Sequence, residues 1–287
     1  MTASPFFTED ASVQAVNARM GPDCDTRLAH VMARLVHHLH AFVKDVGLTQ
    51  DEWGLAIDFL TRTGQMCDAN RQEYILLSDV LGVSMLVDAI NNRRPAPATE
   101  NTVLGPFHVG GVPELPMGAN ICKDGAKQPC LFEGTVTDLN GTPLAGVRID
   151  VWSDNEDGFY DVQQPGLQPE HNNRGVFVTG PDGRYWFQGI KPVSYPIPDD
   201  GPVGQLLGRL GRHPYRPAHM HFMISRNGFE TITTHTFVAG DEYLTSDAVF
   251  GVKQSLVAAF DPVTDGAVKW RSRFDFVMNP AASKVPA

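Results

Sequence analysis

Near Pro97 the residue pattern of this chain changes, and that change limits the folds open to it. Upstream, Leu28, Val31, Leu35, Leu39, Phe42, Val43 and Val46 recur at three- and four-residue intervals, the spacing of an amphipathic helix. Thr49 and Glu52 stand as a capping box, and Trp53, Ile57 and Leu60 carry a second helical stripe. A third helix is predicted from about Arg71 to Ile90, with Ile75, Leu76, Leu81, Leu86 and Ile90 inward. Asn91–Asn92, then Pro95 and Pro97, stop it. Downstream the helical period disappears, and glycine and proline become frequent. Thr135 to Asp150 reads as strand, turn, strand around Asn140-Gly141, and "GVFVTGPDGRYWFQGI" repeats the arrangement around Pro181-Asp182-Gly183. Further strands are expected at Arg216–Ile224 and Thr231–Val238, and one late helix at Asp247–Phe260. Short strands at this spacing predict an antiparallel β-sandwich rather than a parallel sheet with crossover helices. The fold expected is mainly β with an α-helical N-terminal region, divided into residues 1–100 and 101–287.

The 287 residues give room for one large domain or two modest ones. With 33 acidic against 23 basic side chains, the chain carries a net charge of −10, which argues against nucleic acid or an anionic membrane as partner. The most apolar stretch, Tyr74 to Ile90, is broken by Ser78, Asp79, Ser84 and Asp88 and is not expected to span a bilayer. Met1 to Asp10 carries no basic region followed by an apolar run, so no signal peptide is expected there. The cysteines, Cys24, Cys67, Cys122 and Cys130, form no C-x-x-C pair and read as free thiols of a reducing cytoplasm. Disorder is expected only in the last few residues.

The sharpest chemical feature is His219-Met220-His221 in "RPAHMHFMIS". Pro217 disfavours a helix interior, and Met220, Phe222 and Ile224 alternate as in a strand. Residues two apart on a strand share a face, so both imidazoles can reach one metal. Taken alone, an H-x-H pair is more often structural than ligating. A cupin would place a glutamate a few residues on, but Met223, Ile224, Ser225 and Arg226 follow here. The sequence also lacks a G-x-S-x-G elbow, a phosphate loop and an H-E-x-x-H helix. Tyr160 in "SDNEDGFYDV" and Tyr195 in "KPVSYPIPDDGPVG" are loop tyrosines, a type that usually covers surface. His30, His37, His38 and His40 look like a cluster, but on a helix His37 and His38 diverge by about 100°. They read as a solvated or subunit-facing surface, and His108, His171 and His213 as isolated loop residues.

Taken in order, the helical N-terminal region, the loop tyrosine after the first strand pair, "YPIPDDGPVG" and "RPAHMHF" resemble the intradiol ring-cleavage dioxygenases over nearly the whole chain. The resemblance implies a non-haem Fe(III), one per subunit, held by Tyr160, Tyr195, His219 and His221. It makes Arg216 the active-site arginine and Tyr195 the ligand that leaves on substrate binding and acts as base. Such a ligand set suits a hard trivalent cation, which favours phenolate oxygen, whereas zinc has little use for two phenolates.

"RQEYILLSDVLGVS" and "SDAVFGVK" resemble the hydroxyquinol-cleaving branch. That branch implies a substrate pocket of Leu76, Asp79, Val103, Leu104, Gly105, Pro106, Phe107, Ile197, Pro198, Arg216 and Val249. His235 stands where catechol enzymes carry a glutamine, and is counted with the catalytic set. Asp79 would accept a hydrogen bond from the third hydroxyl of 1,2,4-trihydroxybenzene; read by itself, it equally suits solvation of a helix face. The implied reaction joins both atoms of O2 to the ring and gives 3-hydroxy-cis,cis-muconate or its keto form, maleylacetate. A homodimer through the N-terminal helices, with a lipid-like ligand between them, is implied as well. Residues 1–100 would then be a dimerisation and linker domain and 101–287 the catalytic sandwich. The rival expectations are a catechol or chlorocatechol 1,2-dioxygenase and a metal-free, transthyretin-like binding module.

Overall fold

The computed structural model describes residues 6–68 and 71–281; the tail expected to be disordered and the first half of Met1–Asp10 lie outside the described residues. The chain divides into two compact units, Met1–Gln65 and Met66–Ala287.

The first unit holds α1 (Ser12–Asn17), α2 (Thr26–Val46) and α3 (Gln50–Gln65). The Asp25 carboxylate accepts the Leu28 N–H at 2.8 Å and caps α2, which Gly47 closes in a left-handed conformation with φ 59°. The capping box forms as expected: Glu52 Oε2 accepts the Thr49 N–H at 3.0 Å, and Thr49 Oγ1 accepts the Glu52 N–H at 3.3 Å. The stripe of α2 also forms, yet Leu28, Leu35, Leu39, Phe42 and Val46 all stay exposed.

In the second unit the single helix expected from Arg71 to Ile90 is two, α4 (Glu73–Val80) and α5 (Val83–Asn91). Gly82, left-handed at φ 73°, separates them. That break ends the continuous stripe. Ile75, Leu81, Leu86 and Ile90 are exposed, Leu76 is half-buried, and α4 buries Glu73 and Val80 instead.

The strands are β1 (Pro129–Asp138), β2 (Arg148–Trp152), β3 (Arg174–Val178), β4 (Arg184–Ile190), β5 (Tyr195–Pro196), β6 (Tyr215–Arg216), β7 (His219–Ser225), β8 (Ile232–Val238), β9 (Val257–Ala258), β10 (Asp261–Pro262), β11 (Trp270–Arg273) and β12 (Phe276–Met278), with α6 (Pro202–Arg209) after β5. One sheet runs β10-β11-β1-β12 with β4 also on β1, and the other runs β3-β2-β7-β8-β9. Pairing is mainly antiparallel, with β11 and β12 parallel to β1 and β9 parallel to β8. Phe132, Val136, Tyr185 and Phe187 of the first sheet meet Ile149, Val151, Phe177, Met220 and Phe222 of the second in one core, as in a sandwich.

Three local expectations are corrected. The strands flanking Asn140-Gly141 form no hairpin, because β1 pairs with β4 while β2 pairs with β3 and β7. The strands flanking Pro181-Asp182-Gly183 likewise lie in different sheets. A turn sequence reverses the chain without choosing its partner, and a strand with one apolar face is equally well buried in either layer. The helix expected at Asp247–Phe260 is absent. Asp247 accepts the N–H groups of Val249 and Gly251 at 3.2 and 2.9 Å, and Phe250 is left-handed at φ 59°. Such local side-chain bonds compete with a helix; a short 3-10 turn at Gln254–Leu256 and β9 follow.

Strand β7 lies between β2 and β8, and its register sets His221 opposite Trp152 on one side and His235 on the other. Met220, Phe222 and Ile224 point into the core, which sends His219 and His221 to the opposite face. Among the described residues no helix is long and apolar enough to cross a membrane.

Candidate active site

The imidazoles of His219 and His221 are buried, with their Nε2 atoms 3.2 Å apart. Two segments bring phenols to them. Tyr160 follows β2 at the head of a 3-10 turn, where the Gln163 side chain accepts its N–H at 2.9 Å. The buried Asp161–Arg174 pair anchors that turn. Tyr195 is carried by β5, whose partner β6 places Arg216 directly across from it. Left-handed Gly158, at φ 81°, lets the two loops close, since a Cβ there would lie 3.0 Å from Tyr195 Cβ.

The four donors form a tight group. Tyr160 Oη is 2.9 Å from His221 Nε2 and 3.2 Å from Tyr195 Oη, and Tyr195 Oη is 3.3 Å from His219 Nε2. His219 Nδ1 lies 2.7 Å from the Pro217 carbonyl. A carbonyl only accepts, so Nδ1 carries the proton and Nε2 faces the phenols with its lone pair. Burial, aided by Tyr195, pushes the Tyr160 phenol well up, and burial raises Tyr195 against the opposing pull of Arg216. Burial and the Arg216 charge push His219 down to about 3. Burial and neighbouring imidazoles hold His221 and His235 well below the usual histidine range. Without a cation, the group consists of neutral phenols and neutral imidazoles crowded within a hydrogen bond of one another. A cation that takes the imidazole lone pairs and replaces the phenol protons fits this donor set.

Residues 116–280 match the family described as Dioxygenase, and residues 25–99 the one described as Catechol dioxygenase N terminus. The chain belongs to the intradiol ring-cleavage dioxygenases. It is 59% identical over 260 residues to a hydroxyquinol 1,2-dioxygenase of Rhizobium sp., covering 91% of this chain and 88% of that one. It is 51% identical to a 6-chlorohydroxyquinol 1,2-dioxygenase of Cupriavidus pinatubonensis, covering 93% and 96%. A crystal structure of hydroxyquinol 1,2-dioxygenase from Pseudomonas putida superposes with a TM-score of 0.89 at 44% identity, covering 95% and 97%.

Of the other residues singled out in the sequence, Arg216, Gly105, Phe107 and His235 of this dioxygenase lie against the donor group. Arg216 is buried, with Nη1 3.3 Å from His219 Nε2. The segment 102–107 runs past the imidazoles: Gly105 leaves only 3.1 Å between a would-be Cβ and His221 Cε1, and Phe107 stacks on Tyr160 at 4.5 Å. Leu76, Ile197 and Val249 share one apolar cluster with Val80 and Val203. Asp79 is half-buried, and burial raises its carboxyl against the charge of Arg216. Val103 is half-buried, while Leu104, Pro106 and Pro198 are exposed. His235 is fully buried, and its ring lies 4.1 Å from that of His221.

Among the described residues, the one group of three or more His, Cys, Asp or Glu side chains close enough to hold a metal is His219, His221 and His235. His30, His37 and His38 are exposed on α2. No disulfide joins the four cysteines, all of which lie among the described residues.

Two residues of the site went unseen in the sequence. Thr102 Oγ1 lies 2.7 Å from His235 Nδ1, and Asp247 forms a buried ion pair with Arg216. Thr102 carries no local signal at all. Asp247 sits inside "SDAVFGVK", a motif read only for its resemblance.

Proposed function

We propose that this dioxygenase cleaves hydroxyquinol with O2 between its two adjacent hydroxyl-bearing carbons. All atoms of both reactants are retained, and the product is 3-hydroxy-cis,cis-muconate, the enol of maleylacetate. Ferric iron, one per subunit, would be held by Tyr160, Tyr195, His219 and His221. The observation that carries this reading is the set of two phenol oxygens and two imidazole nitrogens linked by contacts of 2.9–3.3 Å. Two tyrosinates offset two of the three charges of such an ion and leave one for a further anionic ligand, whereas with zinc they would leave none. What the metal supplies when bound is Lewis acidity, which draws electron density from a chelated diolate and opens the ring to O2.

The side chains do the rest. Tyr195 Oη, whose hold on a proton burial strengthens against the pull of Arg216, would receive a proton from a substrate hydroxyl. Arg216, kept charged by Asp247, faces the negative charge that develops on the ring. Phe107, stacked over Tyr160, closes one side of the donor group. Leu76, Ile197 and Val249 supply apolar wall, and Val103, Leu104, Gly105, Pro106 and Pro198 the remaining rim. Asp79, within electrostatic reach of Arg216, accepts the third hydroxyl. The sequences of highest identity described above, both hydroxyquinol-type enzymes, support this ring over plain catechol.

The exposed apolar face of α2 supports a homodimer through the N-terminal helices, with a lipid-like ligand between them and residues 1–100 as the linker to the catalytic sandwich. The free thiols suit a cytoplasmic enzyme.

The deciding experiment adds hydroxyquinol anaerobically to iron-loaded protein while the visible spectrum is followed, and then admits O2. A red-to-purple tyrosinate band that shifts on substrate addition and returns to its starting form as O2 is taken up is the expected result. A colourless, iron-free protein after expression with ample iron would instead point to a metal-free binding module. Higher kcat/KM on catechol or chlorocatechol would overturn the hydroxyquinol assignment.

A further inference from the structure

Arg216 is 4% exposed and Asp247 5%, and the pair meets in two contacts: Nε to Oδ1 at 3.2 Å and Nη2 to Oδ2 at 3.4 Å. The same carboxylate accepts the Val249 N–H on Oδ1 and the Gly251 N–H on Oδ2. Both of its oxygens are therefore committed, and the carboxylate is fixed to the backbone of residues 247–251. Gly251 fits closely against the pair, since a Cβ there would lie 2.9 Å from Arg216 Nη2 and 3.1 Å from Asp247 Oδ2. Burial alone would lift the Asp247 carboxyl, but Arg216 and the Val249 N–H hold it below the usual range, so it stays charged.

Arg216 also turns Nη1 to His219 Nε2 at 3.3 Å, and its charge acts on the Tyr195 phenol. The contact with His219 uses the lone pair which a metal would take. Once His219 ligates, Nη1 has lost this acceptor and is free to face substrate, and the guanidinium is oriented by Asp247. From this geometry we infer that Asp247 is the positioning residue for Arg216, holding the guanidinium in register with the reacting ring. The inference rests on the dioxygenase reading and deepens it. Asp247 touches no reacting atom; it acts through Arg216.

The test is a double-mutant cycle on iron-loaded enzyme with Arg216→Ala, Asp247→Asn and the double variant. Asparagine keeps the size of the side chain but must turn an NH2 toward an Arg216 or Gly251 donor. A misplaced charge-stabilising group costs on the order of 10–100-fold in kcat/KM, and that loss is expected for Asp247→Asn. Iron content, the charge-transfer band and thermal midpoint should stay close to wild type. In the Arg216→Ala background the same substitution should cost less than about threefold.

Multiplicative losses would overturn the inference, because a role exercised through the 247–251 backbone and Val249 would persist without Arg216. Loss of iron colour in Asp247→Asn would overturn it too, by making Asp247 a support of the metal centre. Should Asp247→Asn fail to fold, Gly251→Ala enters the same cycle, since its Cβ crowds the pair directly, and the same outcomes decide. Wild-type enzyme that holds iron but consumes no O2 with hydroxyquinol would refute the activity assignment, a result distinct from any outcome of the cycle.

Discussion

Asp79→Ala should change which ring this enzyme prefers more than it changes how well the chain folds. Asp79 lies in the last turn of α4, half-buried, and burial lifts its carboxyl against the pull of the Ser84 hydroxyl and the Arg216 charge. A hydrogen bond to a charged acceptor is worth about 1.5–3 kcal/mol, and leaving a buried acceptor unpaired costs about 1–3 kcal/mol. Ser84 still satisfies part of Asp79 when the substrate lacks a third hydroxyl, so the lower half of that range applies. A difference of about 1–2 kcal/mol corresponds to about 5- to 30-fold in selectivity. Oxygen-uptake kinetics on hydroxyquinol and on catechol should show kcat/KM for hydroxyquinol falling by that factor. Catechol turnover should change less than about twofold, and Asp79→Asn, which keeps an acceptor without its charge, should fall between the two. Equal losses on both rings would refute the reasoning and make Asp79 a residue of the fold.

Other consequences are equally direct. Thr102→Val removes the partner of His235 Nδ1 and should cost about 1–3 kcal/mol, read as a lower thermal midpoint, with Thr102→Ser near wild type; an unchanged midpoint would contradict the 2.7 Å bond. Gly105→Ala carries the cost of a left-handed backbone, about 1–2 kcal/mol, and also presses on His221. Gly141→Ala shares the positive φ with open space around it, so only Gly105→Ala should lose iron and colour. His219, His221 and His235 have folded-state pKa values below their unfolded ones. The unfolded chain therefore binds more protons, and stability of the metal-free protein is full above about pH 6.5 and falls as the pH drops below it. Each proton contributes at most about tenfold per pH unit to the folding equilibrium; urea midpoints that stay flat from pH 8 to pH 5 would exclude this.

The sequence is most readable where one residue's environment is set by its near neighbours. The period of α2, the Thr49–Glu52 box and the alternation through β7 all depend on positions at most four apart, and each forms. Where the deciding partner is distant, local pattern misleads. Asn140-Gly141 turns the chain, but the choice of β4 for β1 is made by a sheet assembled from the other end of the sequence. The apolar spacing after Asp247 suggests a helix, while the carboxylate of Asp247 is already bound to Val249, Gly251 and Arg216. The inward set assigned to α4 and α5 fails at Gly82, one left-handed residue that no periodicity reveals. The four donor side chains were named from motifs, and they do meet in space. Thr102, 133 positions from its partner His235, could not have been found that way.

The two imidazoles sit on β7, hydrogen-bonded on both edges in the middle of a five-stranded sheet, whereas Phe107 and Val249 arrive on loops and Asp79 on a short helix. On the proposed reading, the imidazole donors and the side chains that select the ring thus occupy separate mechanical layers of the molecule. Variation in the outer layer can retune which substituted rings are welcomed, and the nitrogen atoms beneath need not shift. A search for altered appetite should therefore randomise residues 76–80 and position 249, keep Asp247 and Gly251 for the sake of Arg216, and leave the strand alone.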